Sequence, residues 1–368
     1  MTQEDTPVRR RSVFKAGGVA FAASLGAGGA LTESAAAGAV AGGPAASDLI
    51  TRPVPRTGQR LPAVGLGTFM TFDTLPGAGR DHVREVLRRH WAGGGRVVDT
   101  SALYGASEAN LGAAARQLGI TERLFVANKV WATGEHLWDD SHAEHSLARS
   151  RRRLARQRPL DLLQVHSLVN VDVMVPLLHA WKQEGRIGHL GVTHHEAAYL
   201  PALTSWIRRG ELDFVQVHYS MAFRGPEREL LPAAAGEGTA VLVNMALEKG
   251  RLHQLVAGRP LPGFAAGLGI TSWAQFFLKW VLGHPAVTCV LPATSRPEHV
   301  TDNLAAMRGP LPDAATRDRM SEYMATVPGF HEVSRAPWYP GRSYPGLVAR
   351  SQAAIRARSP WWAPGPSA

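Results

Sequence analysis

The fold class this sequence predicts is α/β: a single (β/α)8 barrel, preceded by an N-terminal signal segment and followed by an irregular tail. Three observations predict it. Short, near-continuous apolar runs alternate with helical patterns eight times along the chain. Such runs are what strands covered by helices on their outer face look like. Asp99, Lys129 and His166 stand at the ends of three consecutive runs, and barrels of this kind carry their functional side chains at the C-terminal ends of strands.

Taken in order, Pro53, Pro55 and Gly58 before Leu61 read as an extended or hairpin segment. Strand-like runs follow at 63–66, 96–98, 124–127, 160–165, 187–192, 214–217, 240–243 and 287–291. Helical patterns separate them at 80–91, 107–117, 139–156, 172–184, 196–208, 227–235, 271–282 and 297–307. A doubly wound open sheet is disfavoured. Gly65-Leu66-Gly67-Thr68 lacks the third glycine of a dinucleotide fingerprint and has no helix directly behind it. The barrel is expected over 51–327, after a linker at 42–50. Beyond 328 the pattern is lost in a segment rich in Pro, Arg and Gly. That segment either wraps across the barrel or is disordered.

The chain has 368 residues, of which 45% are hydrophobic and 19% charged, enough for one large core. Forty basic against 30 acidic residues give a net charge of +10, a balance that favours anionic partners, an anionic cofactor among them. No basic run is interleaved with aromatics, so a nucleic-acid partner is not expected. The cluster at 149–158 reads as a solvated helix face. Cys289 is the single cysteine. It excludes an intrachain disulfide, and its apolar neighbours make it a core residue.

Residues 1–41 read as an address. Arg10-Arg11-Ser12-Val13-Phe14-Lys15 resembles a twin-arginine export signal, followed by an Ala/Gly-rich apolar run and small residues near Ala37 and Ala41. The run is too short and too rich in glycine for a permanent membrane span. Export in folded form through the twin-arginine machinery is expected, with the protein cytoplasmic beforehand and periplasmic or extracellular afterwards. A disordered leader on a cytoplasmic protein is the competing reading. The oligomeric state is left open, with a monomer the default.

The chemistry is concentrated in four residues: Asp99, Tyr104, Lys129 and His166. Reducing a carbonyl needs a hydride on carbon and a proton on oxygen. A free phenol, with a pKa of about 10, is a sluggish acid. A neighbouring ammonium favours the phenolate, and a carboxylate holds that ammonium charged and in place. An imidazole can orient the carbonyl and hydrogen-bond the developing oxyanion.

From 50 to 327 the chain resembles the aldo-keto reductase family. The resemblance rests on Thr57-Gly58-Gln59-Arg60-Leu61-Pro62 leading to Gly65-Leu66-Gly67-Thr68-Phe69, and on Asp99-Thr100-Ser101-Ala102-Leu103-Tyr104-Gly105 with Ser107-Glu108. It rests also on Lys182-Gln183-Glu184-Gly185-Arg186-Ile187 leading to Gly191-Val192-Thr193, and on Leu291-Pro292-Ala293-Thr294-Ser295-Arg296-Pro297-Glu298. The leader is like that of the family's exported bacterial branch. The resemblance implies an NADP(H)-dependent oxidoreductase acting on a small aldehyde or ketone, with Tyr104 as general acid, Lys129 and Asp99 as its modulators and His166 orienting the carbonyl.

The resemblance further implies that Gly67, Thr68 and Asp99 flank the nicotinamide and that Thr193, His194 and Gln216 meet its carboxamide. Thr294, Ser295, Arg296, His299 and Asn303 would cradle the adenosine end. Ser295 beside Arg296 suits a 2′-phosphate and so favours NADP. Three positions depart from the pattern. Asn244 stands where many members have a stacking tyrosine, Thr193-His194 replaces a Ser-Asn pair, and Ala293 replaces Gly or Lys.

The substrate pocket is expected from Phe69, Met70, Phe72, Trp131, Leu168, Tyr219 and Met221, joined by Trp338 and Tyr339 if the tail folds back. Its apolar, aromatic lining suits a carbonyl compound with a hydrophobic body. Neither His142-Ala143-Glu144-His145 nor His194-His195-Glu196 has the spacing of a metal site, and no metal is expected. No G-x-S-x-G elbow or P-loop occurs. Two other readings stand beside the reductase: a non-catalytic nucleotide-binding barrel serving as a sensor or structural subunit, and a nucleotide-free hydrolase or lyase using His166 and Asp99.

Overall fold

The computed structural model describes residues 48–132 and 139–358. The segment expected to be a twin-arginine leader, most of the expected linker and Pro360-Trp361-Trp362 lie outside the described residues.

The segment before the barrel is an antiparallel hairpin of β1 (Thr51–Pro53) and β2 (Arg60–Pro62). Eight parallel strands then pair in sequence order. They are β3 (Leu66–Gly67), β4 (Val97–Asp99), β5 (Phe125–Val130), β6 (Leu160–His166), β7 (Ile187–His194), β8 (Phe214–His218), β9 (Ala240–Asn244) and β10 (Val287–Val290). Parallel bridges from Val64 to Val290 and from Gly67 to Ala293 join the first strand to the last and close the barrel. Closure brings the two backbones together at Gly67, where a Cβ would stand 3.0 Å from the Leu291 carbonyl oxygen.

The two faces of each strand have different fates, following the two-residue side-chain period. Val98, Val126, Leu163, Val192, Val215 and Val241 point outward and pack under the helices. Val97, Phe125, Ala127, Leu162, Phe214, Ala240, Leu242 and Cys289 fill the interior, with Val54 and Leu61 of the hairpin packed among them. Side chains thus fill the barrel, as expected for eight strands.

The outer ring is α1 (Asp81–Ala92), α2 (Ser107–Gln117), α3 (Ser141–Arg153), α4 (Val171–Gln183), α5 (Leu200–Arg208), α6 (Leu230–Gly236), α7 (Arg251–Leu255), α8 (Trp273–Leu282), α9 (Pro297–Ala305) and α10 (Ala314–Ala325). Spacing explains the docking: α1 buries Val83, Val86, Leu87 and His90, one stripe of a 3.6-residue period. The helix α10 breaks the apolar pattern because its buried face includes Arg317, which donates to the Trp280 carbonyl and to Glu227. None of the helices among the described residues is long and apolar enough to cross a membrane.

Of the two readings of the tail, its described part is wrapped rather than disordered. Val333 is buried, and α11 (Leu347–Arg358) donates the Val348 N–H to the Asp73 carboxylate at 2.7 Å.

Candidate active site

Strand parity builds the site. Asp99 shares its face with Val97, Lys129 with Phe125 and Ala127, and His166 with Leu162, all interior residues. Gln216 and Asn244 follow the same rule above Phe214 and Leu242. Each strand therefore carries an apolar lower layer and a polar top layer at its C-terminal end.

Within that layer the Lys129 ammonium donates to Asp99 Oδ1 at 2.6 Å and to the Thr100 carbonyl at 2.9 Å. The two side chains are only 2% and 7% exposed. Burial pushes the Asp99 carboxyl up and the Lys129 ammonium down, and each charge opposes the other's shift. Loss of water disfavours both charges, and their mutual attraction, the direct hydrogen bond and the Thr100 carbonyl oppose that cost.

Tyr104 lies in the turn after β4, its N–H donating to the Ser101 carbonyl at 3.0 Å. The Lys129 ammonium is 5.0 Å from its ring centroid. Phe69 and His166 meet the ring edge-on, with centroids 4.9 and 5.9 Å away. Burial, then the charges of Asp99 and Tyr339, raise the phenol well above its ordinary value. This reverses the direction expected from the sequence, first because burial disfavours the phenolate and then because Asp99 answers the charge of Lys129. Tyr104 is accordingly held as a neutral O–H, a proton donor.

His166 Nδ1 lies 3.1 Å from Ser101 Oγ, which accepts the Leu103 N–H at 3.1 Å. The Ser101 hydroxyl keeps one hydrogen to donate and one lone pair to accept with, so the contact fits either tautomer of His166; where Ser101 donates to Nδ1, Nε2 carries the N–H. Burial, then Lys129 and two neighbouring histidines, lower His166 to about 3. The imidazole is thus neutral at any physiological pH.

These four residues wall one cavity of about 920 Å³ that runs to Thr294, Arg296, His299 and Asn303. Gly67, Thr193, His194, Gln216 and Asn244 line it between the two ends. The Arg296 N–H donates to Thr294 Oγ1 at 3.0 Å, and His299 Nδ1 is 3.4 Å from the same hydroxyl. Asn244 Oδ1 is buried without a partner, an acceptor that a carboxamide N–H would satisfy. Acceptors at one end and cations at the other fit an anionic dinucleotide.

Other expected residues lie elsewhere. Thr68 is buried behind the wall, its hydroxyl donating to the Asp99 carbonyl at 2.9 Å. Ser295 does not line the cavity, although its neighbours Thr294 and Arg296 do. Of the substrate-pocket residues, Phe69 lines the cavity, as do Trp338 and Tyr339 from the folded-back tail. Met70, Trp131, Leu168 and Tyr219 do not. Met70 is buried in the left-handed region at φ 64°, Trp131 is 38% exposed in the loop after β5, and Leu168 packs on the outer core. The Tyr219 hydroxyl donates to Glu227 at 2.5 Å, behind the wall. Phe72 and Met221 are likewise core.

The sequence reading weighed His195 only as a metal ligand and did not single out Lys249, His253 or Arg342; all four line the cavity. His195 directly follows β7, Lys249 lies in the loop after β9, His253 in α7 and Arg342 in the tail. The loop after β9 holds Met245, Glu248 and Lys249 at positive φ, a conformation no sequence pattern announces.

The fold is a (β/α)8 barrel with a polar mouth at the C-terminal ends of its strands. The profile of the Aldo/keto reductase family matches residues 63–318, and the chain belongs to that family. It is 27% identical over 165 residues to an NADH-specific methylglyoxal reductase of Escherichia coli, a match covering 38% of this chain and half of that relative. Another E. coli enzyme, methylglyoxal reductase YeaE, is 27% identical over 261 residues, covering 69% of this chain and 88% of the relative. Among solved structures, an aldo/keto reductase of Klebsiella pneumoniae in complex with NADP and acetate is 28% identical. Its TM-score is 0.60, over 72% of this chain and 92% of that one. The glycerol dehydrogenase of Gluconobacter oxydans, 22% identical with a TM-score of 0.61 over 77% and 97% of the two chains, is a likeness of fold.

Proposed function

We propose that this protein is an NADP(H)-dependent carbonyl reductase in which Tyr104 protonates the carbonyl oxygen. One observation carries the reading: the tetrad and the Arg296–His299–Asn303 end wall a single cavity. When bound, the cofactor supplies the hydride. The chain's own residues do the rest. Thr193, His194, Gln216 and Asn244 hold the carboxamide side, and Arg296 and His299 meet phosphate charge. Tyr104 O–H and His166 Nε2–H converge on the carbonyl oxygen as negative charge develops there. Lys129, fixed by Asp99, stabilises the phenolate left after proton transfer.

The substrate is a small aldehyde or ketone, in keeping with methylglyoxal reductases among the relatives. The preference for NADP rests on Arg296 and on the NADP-bound Klebsiella neighbour. Parallel fluorescence titrations with NADPH and NADH, followed by the loss of 340 nm absorbance with methylglyoxal, test it. Binding of neither cofactor overturns the reading. Binding without turnover of any carbonyl favours a non-catalytic nucleotide-binding barrel, the reading that Asn244 supports in place of a stacking tyrosine. The leader at 1–41 completes the proposal: the enzyme is exported, folded, by the twin-arginine machinery.

A further inference from the structure

One cation at the mouth has no role in the chemistry above. The Lys249 ammonium lies 3.0 Å from the centroid of the Trp338 ring and 5.9 Å from those of Phe69 and Tyr339. Its backbone is fastened as well, its carbonyl accepting the Tyr339 N–H at 3.0 Å. The neighbouring carboxylate is unavailable to it. Glu248 accepts from His218 Nε2 at 2.6 Å and from Ser220 Oγ at 2.5 Å, and is paired with Arg251. Among the described residues no carboxylate forms an ion pair with Lys249. Burial, and then the charge of Arg251, push this ammonium down to about 7, while the aromatic faces around it favour its charged form.

Lys249 also lines the cavity that holds the tetrad. Phe69, which it approaches, packs on Tyr104 with ring centroids 4.9 Å apart. The ammonium therefore stands one aromatic ring away from the proton donor. The adenosine end has cations of its own in Arg296 and Arg342.

The geometry points to Lys249 as a specificity residue that accepts an anionic group, a carboxylate in the first instance, carried by the carbonyl substrate at the end away from its reacting carbon. This rests on the reductase reading above. The shared chemistry is an anionic oxygen at Nζ. The other source of such an oxygen is the cofactor's pyrophosphate, and the experiment separates the two.

The test compares 4-carboxybenzaldehyde with benzaldehyde on the full chain and on Lys249→Met and Lys249→Arg. A charge-assisted contact of ordinary strength predicts that Lys249→Met raises KM for the carboxylate-bearing aldehyde by about tenfold or more. KM for benzaldehyde and the affinity for NADPH stay within about twofold by the same scale, and Lys249→Arg retains the discrimination. Equal losses with both aldehydes would mean that Lys249 only packs the tail, and overturn the proposal. A fall in NADPH affinity without discrimination between aldehydes would assign Lys249 to the pyrophosphate, and overturn it too. Should neither aldehyde be turned over, the reductase reading fails separately. Calorimetric titration with 4-(hydroxymethyl)benzoate against benzyl alcohol then decides. A preference for the anion that is lost in Lys249→Met supports the site, and no preference overturns it.

Discussion

The backbone N–H of Val348 donates to the carboxylate of Asp73 at 2.7 Å, fastening the last helix to the loop beside the Tyr104 turn. The other oxygen of Asp73 accepts the Ala106 N–H at 2.9 Å, two residues beyond Tyr104. One buried carboxylate thus satisfies the orphan donors of two helix N-termini. Gly105 permits it, since a Cβ there would stand 2.3 Å from Asp73 Oδ1.

Asp73→Ala is therefore expected to loosen the tail and the Tyr104 turn together. Two half-buried donors lose their carboxylate partner, a cost of about 2–4 kcal/mol in all. Limited proteolysis should cut near 340–350 in the variant and not in the parent, and urea unfolding reads the loss. Unchanged protection would mean that Trp338 and Tyr339 hold the tail without this anchor.

Lys129→Met leaves the Asp99 carboxyl buried without its counter-charge. Breaking a buried pair from one side costs about 3–5 kcal/mol. Adding Asp99→Asn should recover much of that stability without restoring turnover. A double-mutant cycle in urea checks it, and additive losses would deny the coupling.

Several histidines are buried in the neutral form, and their pH dependence has a definite sign. Burial lowers His90 to about 4, His166 to about 3, and His195 and His253 each to about 4. In the unfolded chain they take up protons near pH 6.5. Between about pH 6.5 and 4 the unfolded state binds more protons, so stability falls as pH falls, and above pH 6.5 these groups add no slope. His90 is 1% exposed, with Nε2 3.1 Å from the Val97 carbonyl. His90→Gln should make the acid slope of unfolding free energy shallower by about 1.4 kcal/mol per pH unit. An unchanged slope would show that His90 is already protonated in the native state.

If residues 1–41 are a twin-arginine leader, replacing Arg10 and Arg11 together by lysine should retain the full chain in the cytoplasm with its fold intact. Cell fractionation with an immunoblot reads this. Undiminished export would move the protein to another route.

The barrel was legible because the strands are mostly apolar on both faces and helices such as α1 carry a 3.6-residue stripe, as at Val83, Val86, Leu87 and His90. Asp99, Lys129 and His166 were legible because each interrupts an apolar run at its C-terminal end. The pocket wall was harder to read. Tyr219 and Met221 follow β8 closely, yet both are core, since hydrophobicity alone does not say which side of a turn a ring faces. Arg317 hid α10 by placing a buried cation on its apolar face. Lys249 depends on a left-handed backbone at φ 51° and on a tail 90 positions further along, neither of which has a local signature.

The central claim is that Tyr104 delivers the proton. Tyr104→Phe removes a single oxygen and keeps the ring that Phe69 and His166 pack against. Single-turnover oxidation of bound NADPH by methylglyoxal, followed at 340 nm in the parent and the variant, tests the claim most directly. The account predicts that the variant's rate falls by about a hundredfold or more while its affinity for NADPH is unchanged. An unchanged rate would remove Tyr104 from the chemistry and with it the mechanism proposed for this barrel.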